Sequence, residues 1–229
     1  MQIEAALRRT LYAKGSLQSM KQALIIGATG GIGSALAKRL AGDYQLTLVG
    51  RDQTKLRELK RDADAKVVPT DVSSELEMQA LFDEIGELDL IVYTAGDIQP
   101  EPLKTASAEN WRRVMDANLT GVFFTLKYAE AKLNKDARIF VVGARPELVK
   151  YRGFGAYAAA KAGVASLVEI AAQEMKRKAS LTLVLPKAVD SDFWDKVGKP
   201  PKGALKPDEV AQAIQESLQG EAEEELKVG

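Results

Sequence analysis

Gly27-Ala28-Thr29-Gly30-Gly31-Ile32-Gly33 ends the apolar run Gln22–Gly27 and leads into Ser34-Ala35-Leu36-Ala37, which opens a helix. A glycine-rich turn between a strand and a helix lets backbone N–H groups approach a pyrophosphate, and the helix N-terminus adds the positive end of its dipole. Gly27, Thr29, Gly30, Gly31, Ile32 and Gly33 are therefore candidate dinucleotide ligands. The competing reading is a tight turn without a ligand. The context decides, because this turn follows the first strand of a long strand–helix series.

Outward from the turn, short runs rich in Val, Ile and Leu recur at Gln22–Gly27, Gln45–Gly50, Ala65–Pro69, Leu88–Tyr93, Arg138–Gly143 and Leu181–Leu185. They are apolar nearly throughout, as strands covered on both faces should be. Helical stretches lie between them, near 32–42, 52–61, 74–86, 107–116, 118–134 and 156–178. A last helix is expected after Pro207, where Asp208 and Glu209 suit a helix N-terminus, and Glu225–Val228 is expected as an edge strand. This alternation predicts a single α/β domain with a doubly wound parallel sheet and right-handed crossovers. Residues 20–229 form that domain. Residues 1–19 are expected as an N-terminal extension, a short amphipathic helix with Ile3, Leu7 and Leu11 on one side.

Composition narrows the chemistry. The chain holds 229 residues with 32 Lys+Arg, 32 Asp+Glu, no Cys and no His. That excludes disulfides, thiol nucleophiles, Cys/His metal sites and Ser-His-Asp arrangements. Acid–base work near neutral pH falls to a tuned Tyr, Lys, Asp or Glu. The balanced charge argues against a nucleic-acid partner. No apolar window reaches membrane-spanning length, and Arg8 and Arg9 interrupt the N-terminal apolar stretch. A cytoplasmic location is the expectation.

The pair Tyr157-Ala-Ala-Ala-Lys161 places a phenol and an ammonium on one helix face. A nearby cation favours phenolate and draws the Tyr pKa down from about 10. Tyr157 can then exchange a proton with a carbonyl or alcohol oxygen. At the end of the second strand, Gly50 stands where an acidic residue would accept from a ribose 2′-hydroxyl, and Arg51 follows with a guanidinium suited to a 2′-phosphate. This predicts NADP(H) over NAD(H), without excluding the latter. Asp52, one place further, is an acidic group that competes with this choice or else simply begins the next helix.

Taken with Asn118-Leu-Thr-Gly121, with Asp71-Val72 after the third strand, Ala95-Gly96 after the fourth and Pro186 after the sixth, these motifs resemble the short-chain dehydrogenase/reductase family in its single-domain, Rossmann-like form. The resemblance spans about residues 20–229. It implies that Lys161 also hydrogen-bonds the nicotinamide ribose, that Asn118 supports a proton relay, and that Asp71 and Val72 contact the adenine. It further implies cofactor contacts at Ala95, Gly96, Pro186 and Ser191, and a homodimer or homotetramer. Asn118 is expected to open a helix and to cap it. The pairing surface is expected on the helices carrying Val122, Ala129 and Leu133 and Ala158, Ala162, Ala165 and Val168.

One departure stands out. The family places a carbonyl-binding Ser about thirteen residues before the Tyr, and here that position is Ala144. No Ser or Thr occurs between Arg138 and Tyr157, and Arg145 is the nearest polar side chain. Losing one such donor typically costs on the order of 3 kcal/mol. Tyr93-Thr94 replaces a pair of amides, and Lys187 replaces a glycine. Residues 187–206, with Phe193 and Trp194, are expected to form a short loop over the site. Two functions follow: an NADP(H)-dependent oxidoreductase interconverting a carbonyl and an alcohol, or a noncatalytic dinucleotide-binding regulatory or scaffolding protein. An extended sugar-nucleotide epimerase would need a C-terminal substrate region that this sequence lacks.

Overall fold

Strands whose residues are apolar on both sides need helices on both sides, and that is what forms. The computed structural model describes residues 20–229 and contains, in chain order, β1 (Lys21–Ile26), α1 (Gly31–Leu40), β2 (Tyr44–Gly50), α2 (Gln53–Ala63), β3 (Lys66–Pro69), α3 (Glu75–Glu84) and β4 (Leu88–Tyr93). It continues with α4 (Ala108–Met115), α5 (Gly121–Ala129), β5 (Leu133–Val142), α6 (Gly155–Met175), β6 (Ala179–Pro186), α7 (Pro207–Ser217) and β7 (Glu225–Val228). The seven strands pair in parallel in the order β3-β2-β1-β4-β5-β6-β7. The order reverses between β1 and β4, and a doubly wound sheet opens its binding crevice at such a switch point. The expected N-terminal helix lies outside the described residues.

Side-chain alternation divides the core into two layers. Leu24, Ile26, Ile91, Ile139 and Val141 pack with Met78, Phe82, Val122, Val164 and Val168 from α3, α5 and α6. Ala23, Ile25, Leu48, Val92 and Phe140 pack on the opposite face with Leu36, Leu56, Val210 and Ile214 from α1, α2 and α7. Arg39 of α1 grips Asp208 of α7 through two hydrogen bonds of 2.7 and 2.6 Å, tying the helices on that face together. Among the described residues no helix is long and apolar enough to cross a membrane.

Three expectations are corrected. Strand β5 begins at Leu133, five residues before Arg138, because Leu133 is buried and pairs with Leu88 across a register shift. The helix expected over 118–134 therefore ends at Ala129. Asn118 does not open or cap a helix: α4 runs through a π-helical turn, Asp116–Thr120, directly into α5. Finally, Val122, Ala129, Leu133 and Val168 are core residues, so they form no pairing surface.

Candidate active site

The glycine turn is shaped by close packing. Gly27 has φ +86°, and a Cβ there would overlap the backbone of Ala95, while one at Gly33 would meet the carbonyl oxygen of Gly27. The Gly27 and Ala28 amides both donate to Val49 O at 2.9 Å. Helix α1 has Gly30 at its N-cap, without a side-chain cap and without an acidic residue in its first turn. Its leading N–H groups are thus left for an outside acceptor. That is the feature a bound pyrophosphate requires.

A groove of about 1040 Å³ opens over this turn. Every expected cofactor residue except Gly33 lines it: Gly27, Thr29, Gly30, Gly31, Ile32, Arg51, Asp71, Val72, Ala95, Gly96, Pro186 and Ser191, with Tyr157 and Lys161. Gly33 lies behind, packing α1 on the turn. Arg51 is exposed at the tip of β2, and Asp52 caps α2 by accepting from the amides of Thr54 and Lys55, as its position anticipates. Burial opposes ionisation of Asp71, but two hydrogen bonds from Ser73 and the Arg51 charge hold its carboxyl below the usual range.

The expected catalytic residues reach the same groove from two elements. Tyr157 and Lys161 lie one turn apart on α6, and Lys161 is only 7% exposed. Its Nζ donates to Val142 O at 2.9 Å and sits 5.6 Å from the centre of the Tyr157 ring. Burial pushes the Lys161 ammonium down to about 8 and pushes the Tyr157 phenol up. This reverses the expected direction for the phenol, and burial is the cause. Asn118, in the π turn, donates to Asp97 O at 2.6 Å and Val114 O at 2.8 Å. Its Oδ1 is buried beneath Gly96 with no partner. Such orphans cost free energy unless a ligand or water completes them.

The Lys161 shift has a stability consequence. A Lys whose folded pKa lies below its ordinary 10.5 carries a burial penalty that is fully present below about pH 8 and relieved as pH rises toward 10.5. Denaturant unfolding of the parent and of Lys161→Met should show the difference moving in the parent's favour by about 2.5 kcal/mol between pH 7 and pH 10.

Ala144 lines the groove just beyond β5, and Arg145 does not replace the missing hydroxyl. The Arg145 guanidinium instead donates to Leu185 O, Val228 O and Gly229 O, lacing β5, β6 and the end of β7. Several site contacts had no signal in the sequence. The short 3-10 helix Asp192–Lys196 closes over the groove with Phe193 5.5 Å from the Tyr157 ring centre. Lys55 of α2 pairs with Asp192 at 3.0 Å, and Lys196 pairs with Asp97 at 2.6 Å, so ion pairs fasten both ends of this cover. Only the aromatic content of the loop pointed toward it.

Residues 21–202 match the family model of the short chain dehydrogenases. A Sinomonas cyclohexanicum protein, cis-4-hydroxycyclohexanecarboxylate dehydrogenase, is 34% identical over 170 residues, covering 69% of this chain and 68% of that one. A Thermus thermophilus chain assigned as a short-chain oxidoreductase is 39% identical with TM-score 0.81, covering 86% of this chain and 95% of that one. An alcohol dehydrogenase from the archaeon Thermococcus sibiricus, solved with 5-hydroxy-NADP, is 28% identical with TM-score 0.78, covering 92% and 96%. With its switch-point groove, uncapped glycine turn and Tyr157–Lys161 pair, this chain belongs to the short-chain dehydrogenase/reductase family.

Proposed function

We propose that the chain is an NADP(H)-dependent oxidoreductase interconverting a carbonyl and an alcohol, with Tyr157 as acid and base and Lys161 and Asn118 in support. The observation that carries this is the convergence of Tyr157, the buried Lys161 and Asn118, whose buried Oδ1 has no partner, on one groove above an uncapped glycine turn. A bound nicotinamide dinucleotide supplies or takes up the hydride. In carbonyl reduction Tyr157 gives its proton to the carbonyl oxygen; in alcohol oxidation it accepts one. Lys161 stabilises negative charge left on the phenol, and the walls formed by Phe193 and Trp194 exclude water. The relative that is named as a hydroxycyclohexanecarboxylate dehydrogenase puts cyclic ketones first among the substrates to test.

NADP(H) is favoured by Arg51, which lines the groove near Asp71, lowers that carboxyl through its charge, and makes no ion-pair contact of its own among the described residues. Titration calorimetry should show tighter binding of NADPH than of NADH, with Arg51→Ala erasing about 1–3 kcal/mol of the difference. Equal affinities in the parent would contradict this assignment. The second reading, a noncatalytic dinucleotide-binding protein with a regulatory or scaffolding role, draws on Ala144 and on the Arg145 guanidinium being held by backbone carbonyls.

A symmetric homodimer or homotetramer is also part of the proposal. Its surface is built on α4, α5 and α6, which leave Trp111 40%, Phe123 45% and Ile170 51% exposed. Large apolar side chains left exposed on these helices favour self-association. Light scattering at micromolar concentration should give a dimer or tetramer mass, and Phe123→Glu should lower it to that of a monomer.

A further inference from the structure

Tyr93, the last residue of β4, is fully buried at the point where the sheet meets the π turn. Its hydroxyl donates to the carbonyl oxygen of Ala117 at 2.8 Å. Ala117 lies in the π-helical turn Asp116–Thr120, and the Gly121 amide reaches back to Asp116 O, five residues away, instead of the four of an α-helix. A π bulge interrupts the ordinary ladder and exposes a carbonyl that needs another donor. Tyr93 is that donor.

The neighbourhood is built around this hydroxyl. A side chain at Gly121 would collide with it, and its Cβ would also press on Val72 at 3.1 Å. Burial raises the Tyr93 phenol far above its ordinary value, with the Asp71 charge adding to the effect, so it remains a proton donor at every working pH. Asn118 is the next residue after Ala117. Its amide nitrogen is spent on Asp97 O and Val114 O, which leaves Oδ1 beneath Gly96. Removing one residue from the π turn would rotate the helix register by about 100° and carry Asn118 off the groove.

We propose that Tyr93 is a positioning residue: by holding the Ala117 carbonyl it keeps the π turn open and so sets where Asn118 presents its side chain to the groove. Its consequence for turnover rests on the proposed role of Asn118; its consequence for the turn does not. The contrary view is that Tyr93 only fills the core.

The test is Tyr93→Phe, which removes one oxygen and keeps the ring, compared with Asn118→Ala and with the double variant. Hydrogen exchange at amides 117–122 should accelerate at least about tenfold in Tyr93→Phe, while β1 and α6 keep their protection. Turnover on a ketone reduced by the parent should fall about tenfold with KM for the ketone nearly unchanged, because the loss lies in an aligned transition state. The double variant should be no slower than Asn118→Ala, since both act through one side chain. Unchanged exchange across 117–122, or losses that multiply in the double variant, would overturn the proposal. A parent without turnover would count against the enzymatic function alone, and the exchange result would still decide the role of Tyr93.

Discussion

Tyr157→Phe is expected to lower carbonyl reduction by about 10²–10⁴-fold while leaving NADPH affinity nearly unchanged. The phenylalanine ring keeps the edge contact with Phe154, whose ring centre lies 6.3 Å away, and the contact with Phe193 at 5.5 Å. Cover, helix and groove therefore survive, and only the exchangeable proton is lost. The raised phenol fits reduction, in which Tyr157 must hold its proton until the carbonyl oxygen takes it. The Lys161 charge that stabilises the resulting phenolate is present below about pH 8 and fades above it. Reduction by the parent should accordingly decline as pH rises through 8, and the residual rate of Tyr157→Phe should lack that limb. A variant that retains most of the parent's turnover would remove Tyr157 from the chemistry.

Ala144→Ser is expected to raise turnover on an activated ketone or dione by about ten- to a thousandfold. Ala144 lines the groove at the C-terminal end of β5, and Arg145 beside it is committed to backbone carbonyls of β6 and β7. A serine adds one oxygen without enlarging the side chain enough to disturb the strand end. If the reacting oxygen lacks only this hydrogen bond, restoring it recovers most of the deficit. Should Ala144→Ser fold, bind NADPH and remain as slow as the parent, more than one group is missing and the noncatalytic reading takes precedence. A fast parent that gains nothing from the serine would mean that another donor already serves.

Most of the architecture was legible because burial on both faces leaves a clear mark: Leu24–Ile26, Leu90–Val92 and Ile139–Val141 are uninterrupted apolar runs. The start of β5 was not legible, because Asn134, Lys135 and Asp136 look like a loop, and Asp136 indeed has φ +63°. Its pairing depends on Leu133 finding Leu88 from a distant part of the chain. The groove residues were readable where spacing alone joins them, as at Tyr157 and Lys161 or along the glycine turn. The setting of Asn118 was not, since a carbonyl of its π turn is bonded by a donor twenty-four residues earlier. The direction of Arg145 and the Lys55–Asp192 and Lys196–Asp97 pairs are likewise long-range contacts with no local pattern.

The measurement that tests the central claim most directly is steady-state reduction of a panel of cyclic and activated ketones, followed at the nicotinamide absorbance, by the parent and by Tyr157→Phe, with NADPH and NADH in parallel. The predicted result is turnover by the parent, faster at equal concentration with NADPH, and its loss in Tyr157→Phe although that variant binds NADPH as the parent does. A parent that binds NADPH and turns over no carbonyl in either direction, or a Tyr157→Phe variant as active as the parent, would contradict it.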